Sequence, residues 1–157
     1  MAITYEPIET KTLGSPVDTV TFSSIPGTYT DLVLIASITS DGAVVLRFNG
    51  DSGTTYGYTQ MWGGTPYSQR GVNASDFYFT NASQVVGVNV SQVNVHGYAN
   101  TTTFKSVLTS SKDARYDRNY AIVGQWRSTA AITSISLLAD GNFATGAIFT
   151  LYGIKAA

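Results

Sequence analysis

Leu32-Val33-Leu34-Ile35-Ala36-Ser37-Ile38 is the stretch that decides the fold. Side chains at every second position of a strand point to one face, and those positions from Leu32 to Ile38 are all apolar. The shorter stretch Val20-Thr21-Phe22 alternates in the same way. Both stretches therefore predict strands with one face in a core. No stretch of comparable length has a helical pattern.

Residues typical of strands are concentrated in further runs, and clusters typical of turns separate them. The predicted strand runs are Ala43 to Asn49, Asp76 to Thr80, Gln84 to Tyr98, Thr103 to Leu108, Asn119 to Arg127, Ile132 to Leu138 and Ala147 to Ile154. The turn clusters are Ser24 to Gly27, Ser40 to Gly42, Asn49 to Gly53, Gly63 to Pro66 and Asp140 to Asn142. Because Asn-Gly and Asp-Gly pairs suit tight hairpins, we expect positive φ at Gly50 and Gly141.

Many short strands with turn signals predict an all-β fold, an antiparallel β-sandwich with jelly-roll-like connectivity rather than a closed barrel. The 157 residues contain no linker and no repeat, so residues 14–157 are expected to form a single β-sandwich domain. Residues 1–13 mix charged residues with Tyr5, Pro7 and Ile8, and predict an N-terminal arm or edge strand. A frayed terminus is the alternative.

The charge pattern points to association with protein. Charged residues make up 12% of the chain and the net charge is -1, so no basic field favours nucleic acid or anionic lipid. A weakly charged surface offers little repulsion between copies. No apolar run reaches the length of a membrane helix, and residues 1–7 do not resemble a signal peptide. We therefore expect no nucleic-acid or membrane partner.

The sequence contains no recognisable catalytic constellation, and we therefore expect that the chain is not an enzyme. The single histidine, His96, lies in an alternating segment and is expected to be a half-buried strand residue, since no nucleophile elbow accompanies it. Most aspartates lie in or beside turns, where they bond backbone amides. Asn49-Gly50-Asp51 brings oxygen atoms together but lacks the calcium-loop spacing. Phosphate-binding glycine motifs are absent, so no catalytic residue, metal or cofactor is predicted.

The segment from Tyr56 to Tyr67 concentrates aromatic residues and has two interpretations. Aromatic rings beside Asn, Gln and Asp can stack on sugars, which makes Tyr56, Tyr58, Trp62 and Tyr67 candidate glycan contacts. Alternatively, alternate residues such as Tyr56, Tyr58 and Gln60 share one face of a strand. Trp126 is expected in the core.

Candidate contacts with a protein partner come from two places. The charge-dense stretch Asp113 to Arg118 contains residue types enriched at interface hot spots. The N-terminal segment carries apolar side chains and backbone groups suited to strand addition. The candidate contact residues are Tyr5, Ile8, Arg115, Tyr116 and Arg118.

Several segments resemble a family of tailed-bacteriophage virion structural proteins, which are head decoration (cement) proteins or tail-fibre-type β-sandwich modules. The segments are Phe22 to Pro26 with Tyr29 to Leu32, Arg47 to Asp51, Trp126 to Ile135 and Phe149 to Ala157. The middle, from Gln60 to Asn100, matches less clearly. This resemblance implies a component of the virus particle.

The function that we expect from the resemblance is capsid decoration. The chain would bind the major capsid protein on the outer surface of the capsid in the virion and stabilise the assembled head. The absence of a shaft, coiled coil or repeat favours this role over a fibre. A homo-oligomer is expected, with a trimer favoured by capsid three-fold positions. The alternative is a tail-fibre or receptor-binding module that recognises host surface glycans.

Overall fold

The structure is a computed structural model that describes residues 5–63, 67–80, 85–113 and 118–155, with only the backbone described for residues 85–88 and 113. No helix occurs among these residues. The strands are β1 (Tyr5–Thr12), β2 (Val17–Phe22), β3 (Asp31–Ser40), β4 (Val44–Phe48), β5 (Tyr56–Trp62), β6 (Tyr67–Ala74), β7 (Phe77–Thr80), β8 (Val85–His96), β9 (Lys105–Asp113), β10 (Arg118–Trp126), β11 (Ile135–Phe143) and β12 (Ile148–Ile154).

The strands form two antiparallel sheets. The larger sheet has the order β6-β5-β10-β9-β8-β3-β12-β1 and the smaller has the order β7-β4-β11-β2. Among the described residues the sheets are joined at one residue pair, where Ser40 at the end of β3 pairs with Phe143 at the end of β11. The predicted β-sandwich is therefore confirmed.

The order in which the chain visits the sheets is that of a jelly roll. β1, β3, β8 and β12 lie in the larger sheet, and β2, β4, β7 and β11 lie in the smaller one. The chain crosses between the sheets at almost every connection, and the first and last strands are neighbours. Jelly-roll connectivity, predicted from the strand and turn pattern, is confirmed.

The remaining strands are additions to this frame. β5 and β6 lie in sequence between β4 and β7, whereas β9 and β10 lie between β8 and β11. All four join the larger sheet beyond β8, where β9, β10, β5 and β6 follow in that order. We call β5–β6 and β9–β10 the inserted hairpins. They double the width of the larger sheet.

The core lies between the sheets and follows the alternation predicted from the sequence. Leu32, Leu34, Ala36 and Ile38 of β3 are all buried on its inner face. Phe48 of β4 contacts Trp126 of β10, with ring centroids 5.7 Å apart. Trp126 is 2% exposed, so its predicted place in the core is confirmed.

Two glycines predicted to have positive φ behave differently. Gly50 has a φ of 67° in the turn after β4, as predicted. Gly141 has no positive φ because Asp140 to Asn142 belong to β11 and form no turn. Backbone bonds explain the difference, since Asp140 N donates to Ala43 O and Asp41 N donates to Asn142 O. The turn predicted at Gly141 is therefore wrong.

The N-terminal segment is paired within its own chain. Residues 5–12 form β1, which pairs with β12 from Tyr5 with Ile154 to Thr12 with Ile148. Ile8 packs against the core. β1 is thus an edge strand of the larger sheet. No helix in the described part of the chain is long and apolar enough to cross a membrane.

Candidate functional site

The outer face of the inserted hairpins carries a cluster of exposed apolar side chains. Val123 of β10 lies on this face, paired with Leu108 of β9 on one side and with Thr59 of β5 on the other. Phe104 precedes β9 at one end of the cluster. Each apolar member of the cluster is more than 40% exposed: Met61, Val72, Phe104, Leu108 and Val123. We call these five residues the hairpin face. Patches of this kind mark interaction surfaces.

A groove of about 400 Å³ runs across the hairpin face. Its lining includes Val72, Phe104 and Val123, together with Gly57 of β5. A Cβ atom at Gly57 would meet nothing closer than Gly71 O at 3.8 Å. The missing side chain of Gly57 therefore leaves open space in the floor of the groove, between apolar walls.

The groove floor is supported from the inner side by aromatic rings. A Cβ atom at Gly124 would lie 1.9 Å from Phe77 Cε2, and one at Gly71 would lie 2.4 Å from Tyr58 Cε1. The Tyr58 and Phe77 rings also contact each other edge to face, 5.9 Å between centroids. Burial raises the pKa of Tyr58 to about 12, so its hydroxyl stays neutral at physiological pH.

Arg70 of β6 is the exposed charged residue of the groove lining. Its guanidinium makes no hydrogen bond or ion pair with any side chain in the described ranges. Arg47 is different, because it pairs with Asp76 at 3.2 Å. Arg127 also has partners, donating to Thr54 O and Asn73 Oδ1. Arg70 is therefore free to bind a carboxylate of a partner beside the apolar groove.

Lys105 also lies beside the groove, but its side chain is buried. Its Nζ atom donates to Thr103 O at 2.9 Å and to Thr129 O at 3.3 Å. Burial lowers the pKa of Lys105. Lys105 thus holds two loops together at the end of the sandwich and does not face a ligand.

The four candidate glycan contacts fall into an inner pair, Tyr56 and Tyr58, and an accessible pair, Trp62 and Tyr67. Tyr56 is fully buried, and its hydroxyl accepts from Phe48 N and donates to Asp51 O. Tyr58 is half-buried against Phe77. Tyr56 is therefore unavailable to a ligand, which corrects its assignment as a contact. The alternative interpretation, in which alternate residues of this segment share an inner face, describes both tyrosines.

Trp62 and Tyr67 form an aromatic pair at the end of the β5–β6 hairpin. Their rings stack with centroids 4.2 Å apart and an interplanar angle of 28°. Tyr67 is 54% exposed. Together with Met61 and Ser68 they line a shallow depression of about 400 Å³. Of the four candidate glycan contacts, these two therefore remain close together and accessible.

The candidate capsid contacts do not form one surface among the described residues. Tyr5 is exposed on β1, whereas Ile8 is partly buried and packs against the core. Arg118 begins β10 and is half-buried. β12, β3, β8 and β9 lie between the strands of Tyr5 and Arg118. Arg115 and Tyr116 lie outside the described residues.

His96 is exposed at the end of β8, so the half-buried position predicted for it is wrong. Its Nδ1 atom lies 3.8 Å from Asp31 Oδ2. Asp31 Oδ1 accepts from Gly97 N at 2.7 Å, which is the turn-bonding role expected of the aspartates. No group of three or more metal-ligating acidic, histidine or cysteine side chains occurs in the described ranges.

Sequence reasoning missed the hairpin face. One signal was present, because Ile122 and Val123 are successive apolar residues on opposite faces of β10. Such a pair shows that both faces of a strand carry apolar groups. The sequence could not show that Val123, Phe104 and Val72 come together, because the two inserted hairpins meet only where β10 pairs with β5, a strand far earlier in the chain.

Comparisons with known proteins identify no family. No family model matches the sequence, and no curated protein matches it. The crystal structure of exo-inulinase from Aspergillus awamori is similar with a TM-score of 0.44 and 11% sequence identity. The similarity covers 96% of this chain and 29% of the enzyme chain. This chain spans less than a third of that enzyme's length, and so distant a similarity carries no functional argument.

Proposed function

We propose that this chain is a non-enzymatic structural protein of a bacteriophage particle, a capsid decoration protein that binds the major capsid protein through the hairpin face. The observation that carries the binding role is the exposed apolar cluster around the groove. The particle and the capsid partner come from the sequence resemblance. The jelly-roll fold agrees with this role only by analogy, since viral capsid proteins, lectins and cupins share it.

The residues that line the groove indicate which side chains a complementary partner surface would carry. Val72, Phe104 and Val123 would bury apolar side chains of the capsid protein, since removal of apolar area from water stabilises a contact. Arg70 would bind a carboxylate at the groove rim. The partner segment that fits is therefore an apolar side chain with an acidic residue nearby. Repetition of such a contact over the shell gives reinforcement even when each contact is weak.

Copy number in the virion tests the proposed role. A decoration protein on the capsid surface is present at a stoichiometry close to that of the major capsid protein, whereas a tail module is scarce. Quantitative mass spectrometry of purified particles of the phage that encodes the chain measures this ratio. A ratio below about one chain per ten capsid subunits would reject capsid decoration.

Filling the groove tests the surface itself. Gly57→Leu places a side chain in the groove, and the Cβ atom at this position meets only Gly71 O, at 3.8 Å. We expect this variant to fold normally and to lose co-sedimentation with capsids stripped of decoration. Gly14→Leu is the matched control, because Gly14 has nothing within 4 Å of its Cβ position and lies between β1 and β2. Equal binding by both variants would show that the contact lies elsewhere.

Glycan recognition by a tail module is the second candidate, and the Trp62–Tyr67 pair favours it. An exposed aromatic platform beside Ser68 can stack on a sugar ring. Binding of the chain to host surface polysaccharide, lost in Tyr67→Ala and retained in Gly57→Leu, would support this candidate over decoration. Capsid binding with the opposite dependence would exclude it.

A further inference from the structure

The edge strands of the two sheets differ in how well they are protected from pairing with other chains. An edge strand has a row of unpaired backbone donors and acceptors, and proteins protect such rows with proline, charge, bulges or short length. β1 carries Pro7 and three charged residues, and its register shifts between Pro7 and Glu9. β7 has only four residues. β2 follows Pro16 and carries Asp18. These three edges are therefore protected.

β6, the other edge of the larger sheet, lacks most of these protections. Its sequence contains no proline and a single charge, that of Arg70. Its register with β5 runs uninterrupted from Tyr67 to Gly71, and the irregularity falls after Gly71. Tyr67, Ser68, Gln69 and Arg70 are all exposed. Five residues of regular, weakly charged edge are thus available to another strand.

Symmetry and charge select one register for pairing of β6 with a second copy of itself. In an antiparallel pair about a two-fold axis, one residue must lie opposite its own copy. An axis at Arg70 would place two like charges opposite each other, which destabilises a sheet. An axis at Ser68 would pair only residues 67–69 within the strand, because β6 begins at Tyr67. An axis at Gln69 avoids both problems.

The register centred on Gln69 also matches side chains. Ser68 of each copy lies opposite Arg70 of the other, where the hydroxyl can accept from the guanidinium, which has no other partner among the described residues. Tyr67 lies opposite Gly71, a pairing in which the ring covers the space above the glycine. In the chain itself Gly71 is already covered by Tyr58, so Tyr67 of the second copy would meet that ring.

We propose that two copies of this chain associate through β6, antiparallel about a two-fold axis at Gln69. The pairing joins the larger sheets of both copies into one continuous sheet and places their two hairpin faces side by side. The inference rests on the edge strands and does not depend on the proposed capsid role. It differs from the trimer expected from the sequence.

Charge substitution at Ser68 tests the register. Ser68→Lys places two like-charge pairs across the axis, and we expect the dimer dissociation constant to rise about tenfold. Ser68→Glu creates two ion pairs with Arg70 and should lower it by a similar factor. Ser68→Lys combined with Arg70→Glu restores opposite charges and should recover dimerisation. Thr12→Lys, on the protected edge strand β1, is the matched control and should have no effect. Sedimentation equilibrium measures each constant.

The outcomes separate this interface from its alternatives. A mass twice that of the monomer supports the proposal if the dimer dissociation constant rises in Ser68→Lys and falls in Ser68→Glu. A dimer that responds equally to both substitutions uses another surface and overturns it. A trimer, or a monomer up to about 1 mM (a contact weaker than about 4 kcal/mol), also overturns it. Circular dichroism of each variant confirms that the fold is intact.

Discussion

At the scale of single residues, Asp51 connects the core to the loop after β4. Its Oδ2 atom accepts from Trp126 Nε1 at 2.7 Å and from Thr55 Oγ1 at 2.7 Å, while Oδ1 accepts from Gly53 N at 2.8 Å. The buried indole therefore has its polar atom satisfied, as a buried donor requires. One carboxylate positions the loop and the largest ring of the core together.

Replacement of Trp126 measures how much its buried ring contributes to the free energy of unfolding. Trp126→Ala removes a side chain that is 2% exposed and leaves a cavity beside Phe48, so we expect a loss of about 3–5 kcal/mol in the free energy of unfolding. Urea denaturation followed by far-ultraviolet circular dichroism measures it. A loss below about 1 kcal/mol would mean that the ring is not packed as described.

The pH dependence of stability tests the Asp51 bonds. Hydrogen bonds from Thr55, then Trp126 and Gly53, lower the pKa of Asp51 below its ordinary value of 3.8. The carboxylate therefore stabilises the fold above pH 3.8, and this contribution disappears as the pH falls through the lowered pKa. Asp51→Asn cannot titrate, so the stability difference between parent and variant should shrink on acidification below pH 3.8. A constant difference in urea titrations across that range would contradict this role.

Single residues show where sequence reasoning succeeds and where it stops. Gly50 lies in a local turn, so an Asn-Gly pair was enough to predict its positive φ. Gly141 lies in an Asp-Gly-Asn cluster, but bonds to the distant residues Ala43 and Asp41 keep that cluster in β11. His96 was placed by alternation alone, and the end of β8 leaves it exposed. Local chemistry predicts local conformation until long-range pairing overrides it.

At the scale of elements, strands with strong alternation were predicted and polar strands were missed. β4, β7 and β12 lie within the predicted runs. β6 was not predicted, because Tyr67 to Ala74 is rich in Ser, Gln, Arg and Gly and has few β-branched residues. β9 continues past the predicted end at Leu108 to Asp113. These segments are strands because their neighbours in the sheet hold them, which a sequence pattern does not reveal.

Two glycines in neighbouring strands of the hairpins should respond oppositely to the same change. A Cβ at Gly124 would lie 1.9 Å from Phe77 Cε2 and 2.6 Å from Gly57 O, so Gly124→Ala should cost about 1–3 kcal/mol of stability through overpacking. Gly57→Ala adds its methyl group to open space and should be neutral or stabilise by up to about 1 kcal/mol. Urea unfolding of both variants measures the two changes in the free energy of unfolding and so tests which face of the sheet each glycine occupies. Equal losses would contradict the assigned orientation.

At the scale of the whole molecule, the β-sandwich was predictable and the interaction surface was not. Repeated short strands with turn signals were enough to favour a jelly-roll sandwich. The pairing of β10 with β5, from Tyr120 with Trp62 to Trp126 with Tyr56, joins segments far apart in the chain. The two inserted hairpins, and with them the residues of the hairpin face, become neighbours only through this pairing. The groove is therefore a property of the assembled sheet.

The same topology predicts slow folding. β12 lies between β1 and β3 in the larger sheet, and its pairing with β1 brings Tyr5 opposite Ile154. Because such non-local pairs must be closed before they stabilise the chain, folding times of about milliseconds to seconds are expected. Stopped-flow dilution from urea, followed by tryptophan fluorescence, measures the rate. A chain ending after Phe143 lacks β12, leaves β1 and β3 without the strand between them, and should remain unfolded. Refolding of the full chain within microseconds, or a cooperative unfolding transition in the shortened chain, would contradict the dependence of the fold on this closing pair.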